Sequence, residues 1–254
     1  MKLKLIKSPA VSLIGLVLPL FINQAFAQSI ENDSIFYAKA ISNTIAKYNN
    51  VISYQSRLYN GKQYASYPFT FKEGHPFFES IEMSKGSIVY DNQFCLDVLL
   101  QFDEVSEVVI FKDQTHFTQL LSDKISEFTL LGSKFIRIEK DSSNSIAIKK
   151  SGFFNVIYEG STLVLKQEIK YIKEDISIAS DGIKRSINSK EQYYVRKNNE
   201  YFIVDSKKDM LNIFKNHRNE IVDYKKTNKL NFRNDKQNSL VKIAQFYDKL
   251  SVIK

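Results

Sequence analysis

Cysteine, tryptophan, proline and histidine are scarce in this sequence. Its 254 residues include one Cys, no Trp, four Pro and three His. A single cysteine excludes an intramolecular disulfide, so we expect stability to come from an ordinary hydrophobic core. Cys95 is predicted to be a small core residue, because no histidine lies near it in the sequence to activate a catalytic thiol.

Reaction motifs are missing as well. The chain contains no phosphate-binding loop, dinucleotide fingerprint, nucleophile elbow or HExxH zinc motif. Three histidines offer little material for a metal or catalytic cluster. We therefore assign no catalytic, cofactor-binding or metal-binding residue from the sequence, and we expect no cofactor.

The one long apolar run lies near the N-terminus. The first seven residues hold three lysines and no acid, residues 10–22 form an uncharged run of 13 residues that is apolar except for Ser12, and Ala25 and Ala27 make a small-x-small pattern. This order is typical of a secretory signal peptide, and the run is shorter than the ~20 residues that a membrane helix needs. We predict cleavage between Ala27 and Gln28 and export of the mature chain.

Basic charge is concentrated at the other end of the chain. Residues 205–254 hold 12 Lys and Arg against 6 Asp and Glu, whereas residues 28–204 are close to neutral. Because acids and bases interleave, solvated helical faces are the favoured interpretation. Weak contact with an anionic membrane surface is the alternative for this basic tail, and the export signal disfavours nucleic acid.

Hydrophobic periodicity divides the mature chain into helix, strands and helices. At its start, apolar residues recur at three- and four-residue steps: Ile35, Ala38, Ile41, Ile45 and Tyr48. This spacing predicts a helix that is capped by Asp33 or Ser34, ends at Asn49-Asn50 and docks on a sheet. Residues 51–205 alternate as strands do, and residues 206–254 are again helical.

We therefore predict a β-dominated α+β fold: an antiparallel, twisted sheet of hairpins with an N-terminal helix and a C-terminal helical tail. The predicted division is a signal peptide at 1–27, a helix and sheet domain at 28–205, and a basic helical tail at 206–254 packed on the same domain. The oligomeric state is left open.

Four tight turns predict hairpins in the β region. All contain Asn, Asp or Gly, which tolerate the positive φ of two-residue hairpin turns: Asn60-Gly61, Asp91-Asn92, Glu159-Gly160 and Asn198-Asn199. After the second turn, even-numbered residues from Phe94 to Phe102 are predicted to form one apolar strand face. Around the fourth, the register pairs Lys197 with Glu200.

Two stretches of the β region give a weaker pattern, and the tail gives a clear one. Residues 116–131 are predicted to be a short helix followed by a strand, and residues 175–189 a polar loop. In the tail, Ser206 and Asp209 form a capping box, a second helix covers 218–227, and Asp235 caps a third. The third helix has an apolar stripe: Leu240, Ile243, Phe246, Tyr247 and Leu250.

Of the three histidines, His75 has the most acidic residues close to it in the sequence. It lies between Glu73 and Glu79, and two carboxylates with an imidazole can bind a metal ion or share a proton. The favoured interpretation is structural: Phe77 and Phe78 enter the core while His75 makes a backbone hydrogen bond. His116 and His217 lack such company, so surface or turn positions are predicted for them.

A second acidic group surrounds the end of the long strand: Asp97, Asp103, Glu104 and Glu107. Paired carboxylates are the groups that glycoside hydrolysis requires. Acids at strand ends are also common for solvation alone, and we favour that interpretation.

Three segments resemble a family of uncharacterised exported proteins of the Bacteroidota. They are residues 58–64 (Leu-Tyr-Asn-Gly-Lys-Gln-Tyr), residues 74–78 (Gly-His-Pro-Phe-Phe) and residues 86–91 (Gly-Ser-Ile-Val-Tyr-Asp), followed by a tail similar to 206–250 with Asn-Lys-Leu-Asn-Phe between its helices. Cys95 and Asp97 depart from the family pattern. The resemblance implies a Gram-negative envelope, hence a periplasmic or outer-membrane-associated location, and it carries no catalytic residue.

The leading functional hypothesis is an exported, non-catalytic binding or envelope-associated protein with an unidentified envelope ligand or protein partner. A lipid carrier with a half-open barrel is a loose analogy. The alternative is a periplasmic hydrolase that uses His75 with Glu73, Glu79 or the Asp97 and Asp103 group. A dry aromatic groove would favour carriage, and a cleft converging on His75 and two carboxylates would favour catalysis.

Overall fold

The computed structural model describes residues 37, 39–45, 47, 57–113, 116–140, 147–177 and 182–252. The chain divides into two compact units, residues 1–40 and residues 41–254. The predicted signal peptide, the predicted caps Asp33 and Ser34 and the predicted helix end at Asn49-Asn50 lie outside the described residues.

Residues 37, 39–45 and 47 are helical, in agreement with the helix predicted there. Ile41 occupies the middle of its predicted apolar stripe, but its side chain is 59% exposed. The prediction that this stripe docks on the sheet is therefore wrong at Ile41.

Eleven strands of the described chain form one sheet. They are β1 (Lys62–Gln63), β2 (Ser84–Tyr90), β3 (Gln93–Asp103), β4 (Val108–Lys112), β5 (Phe117–Gln119), β6 (Ile125–Leu130), β7 (Ser133–Ile138), β8 (Gly152–Glu159), β9 (Leu163–Ser177), β10 (Gly182–Lys197) and β11 (Glu200–Ile203). Their order is β1-β5-β4-β3-β2-β6-β7-β8-β9-β10-β11, and all pairings are antiparallel. The predicted fold class is confirmed.

Two of the four predicted hairpin turns are confirmed as they stand. Asp91 and Asn92 join β2 to β3 with φ values of 50° and 62°, and Asn198 and Asn199 join β10 to β11 with 50° and 66°. These left-handed angles match the right-handed twist of paired strands, which explains the choice of Asn and Asp. Lys197 pairs with Glu200, as the register predicted.

The other two turns differ from prediction. The third hairpin forms, but its loop is residues 160–162, because Glu159 pairs directly with Leu163. Asn60-Gly61 makes no hairpin: it follows a 3-10 turn at Arg57–Tyr59 and leads into β1, which pairs with distant β5. A tight turn alone cannot specify which strand the following residues will pair with.

The predicted polar loop at 175–189 is wrong, since β9 and β10 extend through most of it as a two-stranded ribbon. Cross-strand pairs explain the ribbon: Ile176 lies opposite Ile183, and Asp175 lies opposite Lys184. Apolar and opposite-charge pairs of this kind stabilise strands that lack a continuous apolar face. The helix predicted within 116–131 is also wrong, because β5, a 3-10 turn and β6 occupy that stretch.

A β-bulge in β3 divides its predicted apolar face. Leu96 pairs with Ser87 and Val98 pairs with Gly86, so Asp97 is left over and takes a φ of 56°. One extra residue reverses the inside-outside alternation of a strand. The even-numbered face is therefore confirmed after the bulge and wrong before it, where Cys95 is the residue that enters the core. The predicted core position of Cys95 is confirmed.

The sheet curls around a first core of mainly aromatic residues. β3 and β9 are separated by four strands, which in a flat sheet would place them about 24 Å apart. Lys170 of β9 nevertheless contacts Glu104, next to β3, at 3.0 Å. Inside the curl, the ring centroid of Phe102 lies 5.4 Å from that of Phe128 and 5.4 Å from that of Phe135.

The tail forms three helices, α1 (Lys207–Ile213), α2 (Arg218–Thr227) and α3 (Lys236–Val252). The capping box of Ser206 and Asp209 is confirmed. Asp235 caps α3 as predicted, since its Oδ1 accepts a hydrogen bond from the backbone N–H of Asn238 at 3.2 Å.

The tail helices share a second core with the last strands of the sheet. Leu240 and Ile243 of α3 are fully buried, and they belong to one cluster with Val164 of β9 and Val195 of β10. Asp248 of α3 is also buried and accepts hydrogen bonds from Tyr158 Oη and from the backbone N–H of Thr162. The helices therefore pack on the sheet through apolar side chains and one buried carboxylate.

Candidate functional site

The connection from β1 to β2, residues 64–83, lies over the curled sheet without regular secondary structure; we call it the aromatic connection. Its backbone bonds to β10, where Lys72 N donates to Arg185 O at 2.8 Å and Ile187 N donates to Glu73 O at 2.9 Å. Gly74 allows this approach, because its φ is +76° and an added Cβ would lie 3.0 Å from the Ile187 side chain.

Asp103 anchors the other part of the aromatic connection. Its carboxylate is fully buried and accepts hydrogen bonds from Tyr64 Oη at 3.1 Å and Tyr67 Oη at 2.9 Å. Backbone N–H groups of Val105 and Ser106 donate to its other oxygen. Burial, together with this neighbouring carboxylate, raises the pKa of both tyrosines. Asp103 is thus saturated with donors and has a structural role.

Glu104 and Lys170 form a buried ion pair beside Asp103. Lys170 Nζ lies 3.0 Å from Glu104 Oε2, outside hydrogen-bond angles, and it donates instead to the carbonyl oxygens of Phe77 at 2.5 Å and His75 at 3.4 Å. Burial raises the pKa of Glu104 to about 7, and the Lys170 ammonium opposes this shift. The lysine therefore joins β9, the β3–β4 turn and the aromatic connection.

His75 lies at this junction, and the structural interpretation is confirmed in part. Phe78 is buried in the first core as predicted. The backbone carbonyl of His75 accepts from Lys170, but the imidazole Nδ1 is buried with no hydrogen-bond partner in the described part of the chain. Burial lowers the pKa of His75, and the Lys170 ammonium adds to this effect.

The acidic residues named with His75 have separate surroundings. Glu73 bonds through its backbone to β10, Asp97 is exposed on the bulge of β3, and Glu107 pairs with Lys150 at 2.5 Å. Glu79 is exposed with a φ of 48°. Across the described residues, no group of three or more His, Cys, Asp or Glu side chains is placed to hold a metal ion.

The remaining histidines differ from each other. His116 is exposed, as predicted. His217 lies in a 3-10 turn but is only 8% exposed, because its ring packs edge-on against Tyr247 with centroids 5.7 Å apart. Its Nδ1 lies 3.2 Å from Glu220 Oε1. The turn position predicted for His217 is therefore confirmed, but the residue is not on the surface, since the tail folds this turn into the second core.

An open groove follows the junction of the tail with the sheet. Its larger depression, about 680 Å³, lies between β8, β10 and the start of α3. A smaller depression, about 450 Å³, adjoins it at the start of α1 and the end of α2. Arg233 and Lys236 line both depressions, so we treat the two as one basic groove.

Four cations line the smaller depression: Lys207, Lys225, Arg233 and Lys236. None of them lies within 4 Å of a carboxylate in the described part of the chain, and Asp205 is the single acid on this wall. The Lys236 ammonium lies 5.5 Å from the centroid of the Tyr193 ring, which holds it over the groove. Unpaired cations in a concave surface attract anions.

The sequence indicated the basic charge of the tail but not its convergence in a groove. The four cations come from three helices and one linker, and their positions follow no single helical period. The linker 228–235 gave one indication of the groove, because it interrupts the helical pattern and contains Arg233 close to the cap Asp235. Only the packing of α1, α2 and α3 on the sheet brings Lys207 and Lys225 next to it.

Comparisons with protein-family models, with curated proteins and with solved structures give no match to this chain. None of the helices in the described part of the chain has both the length and the apolar character of a membrane span. Function is therefore inferred from the geometry of the molecule itself.

Proposed function

We propose that this protein is an exported, non-catalytic binding protein of the cell envelope, and that the basic groove binds an anionic ligand. The carrying observation is the convergence of four unpaired cations in one open depression. A ligand anion near Arg233 can accept two parallel hydrogen bonds from the guanidinium, which lysine cannot provide. Lys207, Lys225 and Lys236 supply charge around it.

The groove supports binding better than the other two regions considered. The aromatic interior of the curled sheet is filled by its own side chains, among them Phe102, Phe128 and Phe135, so the described residues leave no dry channel there for an apolar ligand. At His75, the charged neighbours are Lys170 and Glu168 rather than the predicted partners Glu73 and Glu79. The groove, in contrast, is open and its cations are available.

Export rests on the sequence of residues 1–27, and the envelope location on the resemblance to exported Bacteroidota proteins. A periplasmic or outer-membrane-associated protein meets anionic surfaces and polymers in large amounts, which fits a basic groove. The intact mass of the exported protein should correspond to a chain that begins at Gln28. Recovery of the uncleaved chain embedded in membranes would contradict export.

Binding can be measured by titrating the purified mature protein with three anionic probes: oligogalacturonate, polyphosphate and vesicles containing phosphatidylglycerol. We expect salt-dependent binding to at least one probe, because charge neutralisation is screened by ions. The double variant Arg233→Gln/Lys236→Gln should weaken that binding at least tenfold.

The matched control is Lys242→Gln/Lys249→Gln, which removes the same charge from exposed positions of α3 outside the groove. It should retain most of the affinity. Equal losses in the two double variants would show that net charge alone acts, and absence of binding to every probe would also refute the proposed function.

A further inference from the structure

We infer that the ligand of the basic groove is a linear acidic glycan, with hydroxyl-rich sugar units in the larger depression and a carboxylate group in the smaller one. This inference rests on the proposed function and names its ligand class. The argument depends on how charge and amide side chains are distributed along the groove.

The two depressions differ in charge. The larger one has two acids, Glu191 and Asp235, against two bases, Arg233 and Lys236, so its wall is neutral. The smaller one has four bases against one acid, a net charge of +3. A ligand that spans both therefore carries negative charge at one end of the groove and little at the other.

The acids of the larger depression disfavour a densely charged polymer. Glu191 is held in place by Lys166 at 2.6 Å and by Tyr193 Oη at 2.7 Å, and the bond to Lys166 lowers its pKa. It therefore stays ionised at neutral pH. A polyphosphate chain would bring an anion on every unit towards this carboxylate and Asp235, and like charges repel.

Two amide side chains of the larger depression are available for hydroxyl groups. Asn234 and Gln237 are exposed, and their side chains make no hydrogen bond within the described residues. An amide both donates and accepts hydrogen bonds, as a sugar hydroxyl does, so the two groups are complementary. Asn238 is different, because its amide already donates to Asp235 at 2.9 Å.

A lipid surface fits the groove less well. Large apolar side chains that are exposed in the described chain, such as Ile176 and Ile183 of the β9–β10 ribbon, lie outside both depressions. Membrane-surface binding combines basic charge with apolar side chains that enter the acyl boundary. The rim of the groove supplies charge and amides instead, which favours a soluble polar ligand.

The test compares a neutral glucan oligosaccharide that carries one terminal glucuronate, neutral dextran, polyphosphate and phosphatidylglycerol vesicles by calorimetric titration of the mature protein at fixed ionic strength. We expect the glucuronate-terminated oligosaccharide to bind at least tenfold more tightly than polyphosphate, and dextran to bind weakly. Asn234→Ala/Gln237→Ala should weaken binding of this oligosaccharide about tenfold, because two hydrogen bonds to its hydroxyl groups are lost, and leave polyphosphate binding unchanged.

The control variant Asn219→Ala/Gln245→Ala removes exposed amides elsewhere in the tail and should bind like the parent. Tighter binding of polyphosphate or vesicles with the same dependence on Arg233 and Lys236 would overturn the glycan inference while preserving an anion-binding groove. An unchanged affinity of Asn234→Ala/Gln237→Ala for the glucuronate-terminated oligosaccharide would overturn it too. No binding of any probe would refute the proposed function itself.

Discussion

The two parts of the sheet cover their inner faces by different means. From β2 to β8 the sheet curls on itself, and the irregular aromatic connection covers the first core. From β8 to β11 three helices cover the second core. Buried charge follows this difference: Asp103 and Glu104 lie under the irregular segment, whereas the helices bring one buried carboxylate, Asp248.

The difference follows from how each covering element satisfies its backbone. A helix bonds its own N–H and C=O groups, so its buried face can be almost entirely apolar. The aromatic connection makes few such bonds, and buried polar groups need partners. Asp103 and Lys170 provide them by accepting from tyrosines and donating to carbonyl oxygens. An irregular segment that covers a core therefore needs buried charged side chains as hydrogen-bond partners, whereas helices that cover a core largely do not.

Removing the helical cover should have the largest effect. Truncation after Asp205 exposes Val164, Tyr193 and Val195, and it deletes buried partners such as Phe214 and Leu240. Each large side chain contributes about 1.5–3 kcal/mol on burial, and a domain has only about 5–15 kcal/mol in total. We expect loss of cooperative thermal unfolding, measured by calorimetry and circular dichroism.

A shorter deletion, of residues 253–254, serves as the control and should melt like the parent. If the chain truncated after Asp205 melted cooperatively at the parent temperature, the tail would be a separate module and the two parts of the sheet would not need the same kind of cover.

Phe102 is one of three phenylalanines in the first core whose rings each contact three other rings. Phe102→Ala should lower the free energy of unfolding by about 3–5 kcal/mol, because its ring packs against Phe128, Phe135 and Phe153 and the resulting cavity cannot close. Denaturant unfolding measures the change. Phe117→Ala, at a residue that is 42% exposed, should cost much less. Equal effects would show that the curled part of the sheet is loosely packed.

Because Glu104 is ionisable, the buried Glu104–Lys170 pair should make the free energy of unfolding depend on pH. The pKa of Glu104 is raised by burial to about 7, so the folded protein holds this proton more tightly than the unfolded chain does. Its contribution to stability is complete below about pH 4.5 and is lost as the pH rises through 7, in total about 3 kcal/mol. Glu104→Gln should flatten the stability profile in this window.

The measurement is the free energy of unfolding between pH 5 and 8 for the parent and for Glu104→Gln. We expect the variant to be at least as stable as the parent at pH 8, because burial raises the pKa of Glu104 even with the Lys170 ammonium beside it, so the ionised carboxylate destabilises the fold and a neutral amide does not. A variant that is strongly destabilised at pH 8 would show that the attraction between Glu104 and Lys170 exceeds the cost of burial.

The helical cover was predictable from sequence, and the irregular cover was not. Ser206, Asp209 and Asp235 are caps with a local mechanism, and the apolar stripe of α3 has a period that one sequence displays. The turns at Asp91-Asn92 and Asn198-Asn199 are local in the same sense. Local chemistry determines these features, so they needed no knowledge of distant contacts.

Non-local contacts account for the failures. Asn60-Gly61 has the residues of a hairpin turn, but β1 pairs with β5, 55 or more residues away. The bulge at Asp97 depends on the pairing of β2 with both β3 and β6. The groove needs Lys207, Lys225 and Arg233 from separate elements, so no spacing in the sequence could have revealed it. Glu73 and Glu79 are close to His75 in the sequence, but non-local contacts place their side chains in separate surroundings.

Substitution of a helix cap should have the smallest effect on stability. The size of this effect measures how far the tail depends on local structure. Ser206→Ala removes the acceptor for the backbone N–H of Asp209, a bond of 3.3 Å, and should cost about 1 kcal/mol. For a chain of this size the melting temperature should fall by roughly 2–4 °C, because the unfolding entropy is large. Ser206→Thr keeps a capping hydroxyl and should differ from the parent by a few tenths of a kcal/mol. The loss is small because apolar burial against β9 and β10 carries most of the stability of α1. A loss above about 3 kcal/mol in Ser206→Ala would mean that the helices depend on their caps as strongly as the aromatic connection depends on Asp103.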